Sequence, residues 1–117
     1  MIYEVRTYRL KPRAVPSFLD VFGEAYEKRK SYSPLAAFFV TEVGPLNEVI
    51  HIWPYADSAE RESIRAETGK TDFWPPKVED FILDMKSEIF RPFPFVGEFG
   101  NGNLGPLFEW REYTVTA

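Results

Sequence analysis

Residues 2–10 read IYEVRTYRL, a strand with no plain surface side. Strict alternation puts Tyr3, Val5 and Thr7 on one face and Glu4, Arg6 and Tyr8 on the other. The first set suits a core. The second is too aromatic to leave wet and too polar for a dry interior, so any fold for this chain must give it a special environment. The same triplet returns near the end: LFEWREYTV at 107–115 carries Glu109, Arg111 and Tyr113 at every second position.

Between these stretches the pattern changes period. Val15, Phe18, Leu19, Phe22 and Tyr26 recur at helical spacing to about Lys30, with Pro16 in the first turn, where a missing N–H costs little. Residues 35–43 and 48–55 form a hairpin about the turn 44–47, with Gly44 and Asn47 supplying the turn chemistry. With Ile50 and Ile52 on the core face, His51, Trp53 and Tyr55 look the other way. Asp57 followed by Glu60 is a helix start of capping-box type, and Gly69 a helix stop. That helix carries few large apolar residues and is expected to be largely surface. Trp74-Pro75-Pro76 is expected to open a third helix, with Val78, Phe81, Ile82 and Met85 as its stripe and a short strand at 87–92 after it. Residues 93–106, rich in Gly, Pro and Asn, read as a linker.

The resulting order is an α+β, ferredoxin-like βαββαβ unit over residues 1–95, with a linker and an extra C-terminal strand over 96–117. Helices in such a unit cover one sheet face. The other face is expected to show Glu4, Arg6, Tyr8, His51 and Trp53, and a second copy packed against it would resolve the conflict between its aromatic and charged residues. The expected assembly is a dimeric α+β barrel, a homodimer or a higher homo-oligomer, with a polar-lined cavity.

Composition removes several function classes. The formal charge is −4 from 14 basic and 18 acidic residues, and no basic cluster exceeds Lys28-Arg29-Lys30, so no nucleic-acid partner is expected. No apolar run approaches membrane-helix length, so membrane insertion is not expected and a soluble, cytoplasmic protein is. The chain has no cysteine and one histidine, which leaves no ligand set for a zinc or iron site within one chain. No phosphate-cradling loop or nucleotide fingerprint is present, and no cofactor is expected.

The candidate site lies on the polar-aromatic face. His51 is the one side chain that titrates near neutrality when unperturbed. It suits a general base or a donor to a bound carbonyl, or a histidine hydrogen-bonded inside an interface. Arg6 beside Glu4 suits a bidentate clamp on an anion, or a pair that only neutralises a partly buried lining. Tyr8, Trp53 and Tyr55 complete the candidate binding wall, with packing as the alternative. His51 and Arg6 are thus the catalytic candidates, and Glu4, Tyr8, Trp53 and Tyr55 the binding candidates. Two functions fit: a small-molecule binder or cofactor-independent enzyme, and a non-catalytic dimerisation or interaction module. An open cavity of a few hundred Å³ favours the first.

The opening YEVRTYRLKP, the hairpin FFVTEVGPLNEVIHIWPY, the helical DSAERESIRA and the closing FRPFPF together resemble the NIPSNAP domain family over residues 2–95. The resemblance implies the dimeric α+β barrel and no settled biochemical activity. Cofactor-independent monooxygenases share that barrel, but a shared fold carries no function by itself. Several family members hold two such domains in tandem, which implies that residues 107–115 match the first strand of a second copy. That strand is expected to add to a sheet edge, across the dimer.

Overall fold

The computed structural model describes residues 1–100, 102–103 and 105–117. Its centre is the opening strand, β1 (Ile2–Leu10), followed by α1 (Val15–Arg29), β2 (Ala37–Val40), β3 (Glu48–Tyr55), α2 (Ser58–Gly69), a single 3-10 turn at Glu79–Phe81 and β4 (Ile82–Phe90). The four strands form one antiparallel sheet in the order β2-β3-β1-β4. With two helices in the crossovers, this is the ferredoxin-like arrangement.

Local signals set most boundaries where the sequence places them. Pro16 lies in the first turn of α1, and Lys28 and Arg29 sit in its last turn, where carbonyls favour cations. Asp57 caps α2 by accepting the Glu60 N–H at 2.8 Å, and the Glu60 carboxylate in turn accepts the Ala56 N–H. Gly69 ends α2. In the β2–β3 turn, Gly44 (φ 137°) and Asn47 (φ 57°) supply the positive φ values that the reversal needs.

The assignment of the two sheet faces is the main correction. Opposed residues of an antiparallel pair share a face, and the register pairs Glu4 with Trp53, Arg6 with His51, Tyr8 with Val49 and Phe38 with His51. This face lies under the helices: Phe18 and Phe22 of α1 pack in one buried cluster with Tyr8, Val49, Trp53 and Tyr55. Tyr3, Val5 and Ile52 form a separate, smaller cluster on the far face with Phe39 and Ile50. The reason is area. Large aromatic side chains bury roughly 150–250 Å² each, and Tyr8, Trp53, Tyr55 and Phe38 outweigh Val5, Ile50 and Ile52. The charges of Glu4 and Arg6 tip the balance the other way only where they lack partners, and here they have them. Leu19, expected in the core stripe, is 37% exposed.

In place of the third helix expected after Trp74, the chain makes only the single 3-10 turn at Glu79–Phe81. Residues 82–90 are one nine-residue strand, paired with β1 from Tyr3↔Phe90 to Leu10↔Ile82 with a bulge at Arg9/Leu10. A central β1 needs partners for its backbone groups on both sides, and a strand confined to 87–92 would leave half of it unpaired. That long-range demand overrides the helix-like spacing of Val78, Phe81, Ile82 and Met85.

Beyond β4 the described residues form no strand, so the extra strand expected over 107–115 is not made within the chain. The segment instead lies against the far face. Phe99 donates its N–H to the Tyr3 hydroxyl at 3.0 Å and meets that ring edge-on, while Phe108 packs on Phe39 with centroids 5.2 Å apart.

Candidate functional site

Strands β1 and β3 deliver all six residues singled out in the sequence to the helix-covered face. Glu4, Arg6, Tyr8, His51, Trp53 and Tyr55 line one cleft of about 780 Å³. The cleft is lined by elements of a single chain, whereas the sequence placed it between two subunits.

Glu4 is fully buried and is the hub of the floor. Its Oε2 accepts from Arg61 (Nη2 2.5 Å, Nε 3.1 Å), from the Ser87 hydroxyl (2.9 Å) and from Arg6 (3.4 Å). Its Oε1 has no hydrogen-bond partner, with Arg65 at 3.9 Å. Burial alone would raise this carboxyl, but the hydrogen bonds from Arg61 and Ser87 and the charges of Arg6 and Arg61 outweigh it and hold the pKa below its ordinary value. Arg6 also donates Nε to the Tyr8 hydroxyl at 2.9 Å, which leaves the phenolic proton free to be donated elsewhere.

His51 sits in an aromatic box. Phe38 stacks on it, and Tyr8 and Phe22 meet it edge-on. The Trp53 indole N–H donates to its Nδ1 at 2.8 Å, so the imidazole proton resides on Nε2, which is buried without a partner. Burial, then the nearby Arg6 charge, pushes its pKa down to about 3 against a weaker opposing effect of Glu4. The ring is therefore neutral at pH 7. With its lone pair committed to Trp53, its chemistry is that of an N–H donor rather than a base.

Four residues that the sequence did not single out complete the site. Arg29 is buried at the end of α1, donating to the Ser33 carbonyl (3.1 Å) and hydroxyl (3.0 Å) and lying over the rings of Trp53 and Trp74. Arg65 lines the cleft from α2, Arg61 of the same helix holds the Glu4 carboxylate without lining the cleft itself, and Trp74 walls the cleft from the loop after α2. Arg29 continues the α1 stripe of Phe18, Phe22 and Tyr26 three residues on, and that register was its readable signal. Among the described residues no group of three or more His, Cys, Asp or Glu is placed to hold a metal ion. No helix among them is long and apolar enough to cross a membrane.

The NIPSNAP family model matches residues 3–96. A NipSnap homologue of Dictyostelium discoideum is 34% identical over 86 residues, covering 74% of this chain and 39% of the relative. The chain thus spans well under half the length of that curated protein. A solved NIPSNAP family protein of unknown function from Agrobacterium tumefaciens is 37% identical at a TM-score of 0.76, covering 82% of this chain and 91% of the other. A solved antibiotic biosynthesis monooxygenase (TM-score 0.62, 21% identical, covering 80% of this chain and 100% of the other) shares the fold alone. From the match over most of its length, the chain belongs to the NIPSNAP family.

Proposed function

We propose that this chain binds a small organic molecule in the cleft between the sheet and its helices, without a metal or nucleotide cofactor. One observation carries the reading. Three residues of the cleft wall, Glu4, Arg29 and His51, each hold a buried polar atom with no hydrogen-bond partner, although such atoms are costly to leave unpaired. A volume of about 780 Å³ lies within the usual range for ligand sites. If a reaction follows binding, Arg6 and the His51 N–H are the cleft groups that would stabilise developing negative charge.

The test is a broad panel of neutral, anionic and cationic ring compounds, read by thermal shift and by the fluorescence of Trp53 and Trp74. The expected result is a subset that raises the melting temperature and quenches the cleft tryptophans, with Arg6→Ala altering that subset while retaining the fold. A panel without a single binder would sink the reading.

A second reading, an interaction module, rests on the far sheet face. Tyr3, Val5, Ile52, Phe39 and Ile50 make an apolar surface that the chain covers with residues holding no strand bonds. On this reading the homodimer would seat on this face rather than on the polar-aromatic one. Light scattering on the full chain and on residues 1–96 tests it, and a monomer mass for both at micromolar concentration would remove it.

A further inference from the structure

The inner wall of the cleft holds more positive charge than the chain itself uses. Arg6, Arg61 and Arg65 surround the single carboxylate of Glu4. Arg29 has no carboxylate partner among the described residues; it donates to the Ser33 oxygens, lies over two indole faces and has the Tyr55 hydroxyl beside it, and its buried Nε makes no geometric hydrogen bond. Glu79 and Asp84 also line the cleft, but both are exposed and neither pairs with these arginines. Arg65 stands near enough to Arg29 to disfavour its charged form, an effect that adds to burial and opposes the influence of Tyr55. Two guanidinium groups that line one cleft and repel, one without a carboxylate and the other with only the long 3.9 Å pair to Glu4, mark a place for an anion.

The surroundings narrow the class. Beside the arginines the wall is aromatic: Phe22, Trp53, Tyr55 and Trp74. The cleft also touches the carbonyl ends of both helices, at Arg29 of α1 and at Thr68 and Gly69 of α2. Helix C-termini repel anions, most strongly those of high charge, and neither α1 nor α2 turns its N-terminus to the cleft to cradle a phosphate. A monoanion carrying a ring fits where a phosphate dianion does not.

Building on the proposed binding role of the cleft, we infer that its ligand is an aromatic monocarboxylate, held with the carboxylate between Arg29 and Arg65 and the ring against Trp53 and Trp74. The probes are 1-naphthoate, its neutral isostere 1-naphthamide and inorganic phosphate, titrated by calorimetry into the full chain and into Arg65→Gln. Arg65 is half exposed, and its loss leaves Glu4 paired with Arg61 and Arg6, so this variant keeps its fold where an Arg29 variant is a risk. The expected result is that naphthoate binds at least about tenfold more tightly than naphthamide. Arg65→Gln should erase most of that difference without changing the affinity for naphthamide. Equal affinity for acid and amide, tighter binding of phosphate, or an equal loss for both ligands in the variant overturns the anion assignment and leaves the cleft a binding site. Failure of all three probes overturns the assignment as well, and the broad panel then decides separately whether the cleft binds anything.

Discussion

The triplet Glu-Arg-Tyr at every second position occurs twice in this chain, with two fates. In β1, Arg6 bonds to Glu4 on one side and to the Tyr8 hydroxyl on the other. In residues 107–115, Arg111 pairs with Glu109 and donates to the Tyr113 hydroxyl at 3.2 Å. The short-range contacts are the same, as an extended backbone with period-two side chains requires. Beyond them the likeness ends. Glu4 is buried, with Arg61 and Ser87 arriving from 57 and 83 residues away, while the Glu109 side chain is 71% exposed. The difference teaches that extended sequence makes its local contacts anywhere, and that only remote partners turn such a stretch into a buried strand.

The largest test of that contrast removes the two carboxylates in turn. Glu4→Ala leaves Arg61, Arg6 and Ser87 facing a buried gap and should cost on the order of 3 kcal/mol. Glu109→Ala breaks an exposed pair and should fall within about 0.5 kcal/mol of the parent. Urea unfolding of both variants measures this, and equal costs would mean that the remote partners add nothing.

A smaller effect follows from acid. His51 has a folded pKa pushed down to about 3 from 6.5, so between those values the unfolded chain binds a proton that the folded chain refuses. Stability is then full above about pH 6.5 and declines as the pH falls toward 3, a loss of roughly 2 kcal/mol by pH 5. The charged groups acting on His51 are Arg6 and Glu4, both from β1; Phe22 from α1, Phe38 from β2 and Trp53 from β3 bring no charge. Since the chain has one histidine, His51→Gln should flatten the melting temperature between pH 7 and 5. Glu4 acts lower down: its depressed pKa stabilises above about pH 4.5, and that contribution is lost as the pH falls through the folded value. A wild-type profile that is already flat from pH 7 to 5 would show that the imidazole reaches solvent.

How much of this was legible from sequence depends on the range of the interaction that decides it. Pro16, Asp57 with Glu60, Gly44 and Asn47 act on their neighbours, and the elements they bound were readable. The six candidate residues converge because period-two alternation is a local property, preserved whichever side of the sheet the helices take. That side was not readable, because it turns on the packing of Phe18 and Phe22 against Trp53 and Tyr8, and on arginines of α2 that read as a solvated face. Residues 82–85 suit a helix until β1 demands a partner. Arg29 lies in a basic run that composition assigns to solvent, and only its register with Phe18, Phe22 and Tyr26 marks it as buried.

The finest test of the contrast asks what holds the tail to the sheet, since it has no strand bonds to do so. Gly100 (φ 101°) lies against Ala36, the residue before β2, and a Cβ there would sit 2.8 Å from Ala36 Cα and 3.0 Å from its carbonyl oxygen. Gly102 (φ 95°) has a similar φ and nothing within 4 Å of such a Cβ. Alanine at either position incurs the same left-handed strain, on the order of 1 kcal/mol, so the difference between the variants isolates the close approach. Gly100→Ala should lift residues 97–110 and uncover Tyr3 and Phe39, raising amide exchange at Phe99 and the binding of an apolar dye. Gly102→Ala should do neither. The loss cannot exceed what docking supplies, which two aromatic contacts put at roughly 1–3 kcal/mol, so deletion of residues 97–117 sets its ceiling. Equal exchange in the two variants would mean that the tail touches the sheet without being held by it, and its triplet would then differ from that of β1 in nothing but its lack of partners.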